Sequence, residues 1–78
     1  MAGIEVSKAL SMVSDLKALD SGLRVECYGS TVLVDSKRLE SLDGLIVRGW
    51  LIPQTNQLSR AGRKQLHETI HELELIVD

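Results

Sequence analysis

The chain has 78 residues, a net charge of −2, no phenylalanine, and Trp50 and Tyr28 as its only aromatic side chains. That length supports one domain, residues 1–78, whose core of Leu, Ile and Val buries only about 60–65% of the unfolded surface. A single cysteine, Cys27, excludes an internal disulfide and points to a reducing, cytoplasmic setting, while no apolar run approaches the ~20 residues of a membrane span and the N-terminus shows no charged-then-apolar leader.

The charge is unevenly spread. Residues 1–35 sum to −2, residues 36–64 to +4 and residues 65–78 to −4. A basic middle between acidic ends suits an anionic partner, either nucleic acid or an acidic protein surface. So small a core also leaves room for a homodimer.

The first predicted element is a helix over about residues 4–20. Val6, Leu10, Val13 and Leu16 recur at helical spacing, with Ala9 and Leu19 widening the stripe. Gly22 is suited to end it, because glycine takes a left-handed conformation without a Cβ penalty. A hairpin follows, Leu23–Tyr28 and Thr31–Asp35, around Gly29-Ser30. Glycine first in a two-residue loop predicts a type II′ turn. In that register Cys27 faces Val32 and Val25 faces Val34 on the core side, which makes Cys27 a buried apolar residue rather than a reactive thiol.

Asp35 or Ser36 is then expected to cap a second helix by accepting from its first free N–H groups. Leu39, Leu42 and Ile46 would line the buried face of that helix, with Leu45 beside them, and Gly49 would end it. Its opposite stripe would be Lys37, Ser41, Gly44 and Arg48, basic or small throughout, as a helix lying on phosphates requires. Trp50-Leu51-Ile52 reads as a short strand broken by Pro53. Gln54-Thr55-Asn56-Gln57 reads as a polar turn, and Ser59 as the N-cap of a last helix from about Arg60 to Val77. Its buried stripe is Leu66, Ile70, Leu73 and Val77, and Gly62 in its first turn permits a close backbone approach.

Leu45-Ile46-x-Arg48-Gly49-Trp50-Leu51 followed by Leu58-Ser59-x-x-Gly62-Arg63-x-x-Leu66 resembles the second half of a winged helix-turn-helix transcriptional regulator. The resemblance covers roughly residues 37–66. It implies a recognition helix ending in Arg-Gly, a strand, a short wing and a last helix, with nucleic acid as the partner.

His67-Glu68-Thr69-Ile70-His71 matches H-E-x-x-H, in which two histidines one turn apart share a Zn²⁺ and the glutamate acts as general base. Only seven residues follow His71, too few for the downstream third ligand of such enzymes. The residue after it is the charged Glu72. The two histidines therefore read as polar residues flanking the buried stripe. No nucleophile–base pair, paired carboxylates or phosphate loop stands out, so no catalytic residue, metal or cofactor is assigned.

The sequence thus implies an α+β single domain of order α-β-β-α-β-α, with a small antiparallel sheet and a winged-helix-like second half. Two functions fit. One is a non-enzymatic regulator that binds nucleic acid through Lys37, Ser41, Arg48, Arg60, Arg63 and Lys64. The other is a protein-interaction module, an adaptor or inhibitor of a larger complex, without DNA binding.

Overall fold

The computed structural model describes residues 5–78. It is an α+β domain: a helix, a three-stranded antiparallel sheet and then two helices. Helix α1 spans Val6–Leu19, strands β1 Val25–Tyr28, β2 Thr31–Val34 and β3 Lys37–Arg38, helix α2 Gly44–Arg48 and helix α3 Arg60–Val77. Among the described residues no helix is long and apolar enough to cross a membrane.

α1 packs chiefly on α3. Its buried stripe is Ala9, Val13, Leu16 and Leu19, while Val6 and Leu10 are about half exposed. The seam is therefore rotated from the one expected. Of the expected stripe, Ala9, Val13, Leu16 and Leu19 face inward, while Val6 and Leu10 do not. The expected start at residue 4 lies outside the described residues.

The hairpin has the predicted register. Val25 pairs with Val34, Cys27 with Val32 and Tyr28 with Thr31. Gly29 has φ +61° and Ser30 does not take a positive φ, as a type II′ loop demands. Val32 and Val34 are buried under the helices.

The next stretch departs from the sequence expectation. Asp35 (φ 51°) and Ser36 (φ 67°) cap no helix. They form a second two-residue turn, with both residues at positive φ as a type I′ loop requires. Lys37 then pairs with Val34 and Arg38 with Leu33, and the Leu39 N–H donates to the Val32 carbonyl at 2.9 Å. Asp and Ser suit turns and helix caps alike, because their short side chains satisfy neighbouring backbone groups in both. Here the chance to extend the ladder along β2 decided the outcome.

The second helix is consequently five residues long. Asp43 caps it, its Oδ1 accepting from the Leu45 N–H at 2.9 Å. Its buried residues are Gly44 and Val47, whereas Leu45 and Ile46 are 62% and 58% exposed, against the expected inward face. Leu39 is buried, but from the end of the sheet. A Cβ on Gly44 would fall on the Ser30 carbonyl, so the helix start lies directly against the turn of the hairpin.

Trp50 is 8% exposed, in the predicted place. Its carbonyl accepts from the Ser59 N–H at 2.9 Å and the Ser59 hydroxyl at 3.1 Å, and its Nε1 donates to Gln65 at 3.1 Å. The expected strand Trp50–Ile52 is reduced to one bridge, Leu51 with Leu58, closed by the turn that begins at Pro53. Ser59 caps α3 as expected, its hydroxyl accepting from Gly62 N–H at 2.9 Å. Gly62 lies on Trp50: an added Cβ would stand 2.7 Å from the Trp50 Cα. Leu16, Leu66, Leu73, Val32 and Val47 are the largest fully buried side chains among the described residues.

Candidate interaction surface

The five cations and one hydroxyl expected to bind the partner lie in three places. Lys37 sits on β3 and Ser41 in the loop beyond it, beside α1. Ser41 is tied inward: its hydroxyl donates to Asp15 at 2.5 Å and its N–H reaches the same oxygen at 3.3 Å. Arg48, the last residue of α2, turns to the hairpin and donates to the Gly29 carbonyl at 3.0 Å. The expected stripe Lys37–Ser41–Gly44–Arg48 therefore does not exist as a helix face, because residues 37–43 are strand and loop.

Arg60, Arg63 and Lys64 do come together. They line a shallow cleft of about 540 Å³ at the start of α3, with Leu58, His67 and Glu68. Arg63 is partly neutralised there, donating to Asp20 at 3.1 Å. His67 meets the other oxygen of the same carboxylate at 2.7 Å. Among the described residues no three His, Cys, Asp or Glu side chains converge as a metal site. His67 is oriented by Asp20 across the helix pair rather than toward His71.

The sequence gives no direct sign of the free edge of the sheet. The strand order is β1-β2-β3, so β1 is an outer strand. The Asp35 N–H donates to the Arg24 carbonyl at 2.8 Å. Antiparallel ladders alternate, so residues 24, 26 and 28 direct their backbone groups to β2 while Val25 and Cys27 direct theirs away from it. Among the described residues no hydrogen bond reaches those outward N–H and C=O groups.

That edge borders two clefts. One, of about 610 Å³, lies between Arg24–Glu26 on one side and Thr55–Leu58 with Arg63 on the other. The second, of about 510 Å³, is lined by Cys27, Arg48, Gly49, Leu51, Pro53 and Asn56. Asn56 borders both. The local signal for this site was Asp35-Ser36. Read as a hairpin turn, it places β2 in the middle of a sheet and leaves β1 outside.

Cys27 and Tyr28 on this strand have shifted titrations. Partial burial pushes the Cys27 thiol above its ordinary value, and the nearby Arg48 guanidinium pulls it back in part. The Tyr28 hydroxyl donates to Glu26 at 2.7 Å, and that bond, with the carboxylate charge, holds the phenol above its usual range. At neutral pH both stay protonated.

The chain matches no protein-family model, no curated protein and no solved structure.

Proposed function

We propose that this chain is a small non-catalytic interaction module, an adaptor or inhibitor of a larger assembly, that takes up an extended segment of a partner protein along β1. One observation carries the reading. The outward N–H and C=O groups of Val25 and Cys27 are unpaired, and each residue lines a cleft. A strand added there would pair its backbone with both residues, which supplies affinity without any particular side chain. Edges left open in this way are normally shortened, charged or covered, because they pair with other chains. β1 is short and carries Glu26, with Arg24 just before it, and no strand pairs with its outer side.

Cys27→Pro tests the reading. The proline removes an outward N–H that makes no bond in the sheet, so an edge strand tolerates it. The far-ultraviolet circular dichroism spectrum should be unchanged. Protein partners captured by the tagged wild-type chain from its native host should be absent from the variant. An unchanged set of partners would overturn the reading.

A second reading, the winged-helix-like regulator, is favoured by the grouping of Arg60, Arg63 and Lys64. It predicts duplex binding that weakens steeply with salt, with a slope of about two to three counterions for three phosphate contacts. The dispersal of Lys37, Ser41 and Arg48 away from that group leaves it no recognition helix.

A further inference from the structure

We infer that the segment taken up by β1 is an acidic one: an extended stretch of another protein with Asp or Glu at alternate positions. This rests on the module reading above and adds the chemistry of the partner. Three arginines line the two clefts, Arg24, Arg48 and Arg63, against one acid, Glu26. Glu26 is already engaged by the Tyr28 hydroxyl at 2.7 Å and by Arg24 at 3.7 Å. Arg48 meets only a neutral carbonyl, that of Gly29, so its charge is not neutralised by an ion pair among the described residues. Arg63 uses one nitrogen on Asp20, and a guanidinium carries five N–H donors, so it can accept a second carboxylate.

Arg48 and Arg63 lie in different clefts along the edge. Arg48 lies in the cleft beside Cys27, and Arg63 in the cleft beside Arg24 and Val25. Side chains on a strand repeat to the same face every second residue, at about 6.6 Å. An incoming strand paired with Val25 and Cys27 thus runs past both clefts and directs alternate side chains to one face. Acids at those positions meet a cation in each cleft, and lysines there meet repulsion. Thr55, Asn56 and Gln57 on the far wall add polar groups and no charge.

The test uses three blocked eight-residue peptides, alternating threonine with glutamate, glutamine or lysine, added to the ¹⁵N-labelled full chain. The glutamate peptide should shift the amides of Val25 and Cys27 and slow their exchange with solvent. It should bind about tenfold more tightly than the glutamine peptide at low salt, and the difference should shrink as salt screens the charges. Arg48→Gln with Arg63→Gln should remove the preference for the glutamate peptide over the glutamine peptide. Equal binding of all three peptides at Val25 and Cys27 would overturn the acidic partner and leave the module reading intact. Shifts confined to Arg60–Lys64 would overturn it by placing the acidic peptide elsewhere. Amide shifts at the edge that appear on concentrating the chain alone, with a doubling of mass, would overturn it in favour of a second copy. Absence of any peptide effect at the edge would remove both readings together.

Discussion

The Asp20 carboxylate and the His67 ring meet at 2.7 Å, joining the end of α1 to the second turn of α3. The other Asp20 oxygen accepts from Arg63 at 3.1 Å, so one carboxylate holds two donors one turn apart on the facing helix. Asp20 is also the C-cap of α1, its own N–H bonded to Leu16 at 3.1 Å. The contact therefore ties the C-terminal end of α1 to α3.

Removing it should have a modest effect. The side chains of Arg63 and His67 are each 54% exposed and that of Asp20 28%, so solvent screens the pairs. Asp20→Ala should lower stability by about 0.5–1.5 kcal/mol. Asp20→Asn, which keeps an acceptor for Arg63, should cost less. His71→Ala should change nothing measurable, whereas His67→Ala should reproduce part of the Asp20→Ala loss. Urea midpoints at low and high salt check this, and a salt-independent loss would show that the effect is not electrostatic.

Gly62→Ala should destabilise, although the same change inside an ordinary helix stabilises by about 1 kcal/mol. The reason is the 2.7 Å separation between the added Cβ and the Trp50 Cα, a backbone atom that cannot swing aside. Overpacking of this kind costs about 1–3 kcal/mol. Gly44→Ala should be as harmful, because Ser30 blocks it and α2 has only five residues with which to adjust. Thermal melts of the two variants give the sign directly, and a raised midpoint in either would contradict the packing described.

The elements that were legible in the sequence are those decided locally. Gly29-Ser30 specifies its turn by the φ that glycine alone takes readily, and the register of β1 and β2 follows from it. Ser59 and Gly62 mark the start of α3 through one hydrogen bond. Leu39, Leu42 and Ile46 misled because spacings of three and four imitate a helix stripe. Leu39 is buried by the sheet and Ile46 by nothing, and no local rule separates those cases. Leu10 misled in a similar way, since only the approach of α3 selects Ala9 as the seam. Of the candidate site, the cluster Arg60, Arg63 and Lys64 follows from helical spacing. The edge beside Val25 and Cys27 depends on how three strands order themselves, which is a long-range outcome.

Trp50 holds α2, the Leu51–Leu58 bridge and α3 together, so its loss should be severe. Trp50→Ala should cost about 3–5 kcal/mol, a large fraction of the stability of a domain this size. Trp50→Phe keeps most of the apolar contact and loses the bond from Nε1 to Gln65, so it should cost about 1–2 kcal/mol. The native emission maximum should lie well to the blue of indole in water and move to the red on unfolding. Native emission at the aqueous position would place the ring outside the core.

Arg48 and Cys27 give a pH-dependent prediction for the edge itself. Burial raises the thiol and Arg48 opposes it, so removing the cation should raise it further. Only the thiolate attacks an alkylating reagent. Cys27 should therefore react with iodoacetamide more slowly than a free cysteine at pH 8, and Arg48→Gln should slow it again. The sign for stability follows from the same shift. A thiol raised in the folded state leaves stability intact below the ordinary thiol value and lowers it as the pH climbs through the folded one. Cys27→Ala should flatten that alkaline decline, while Tyr28, whose phenol is also held up by Glu26, accounts for a remaining part at higher pH. An Arg48→Gln variant that reacts faster than the wild-type chain at the same pH, with an unchanged circular dichroism spectrum, would show that the guanidinium does not reach the edge at Cys27.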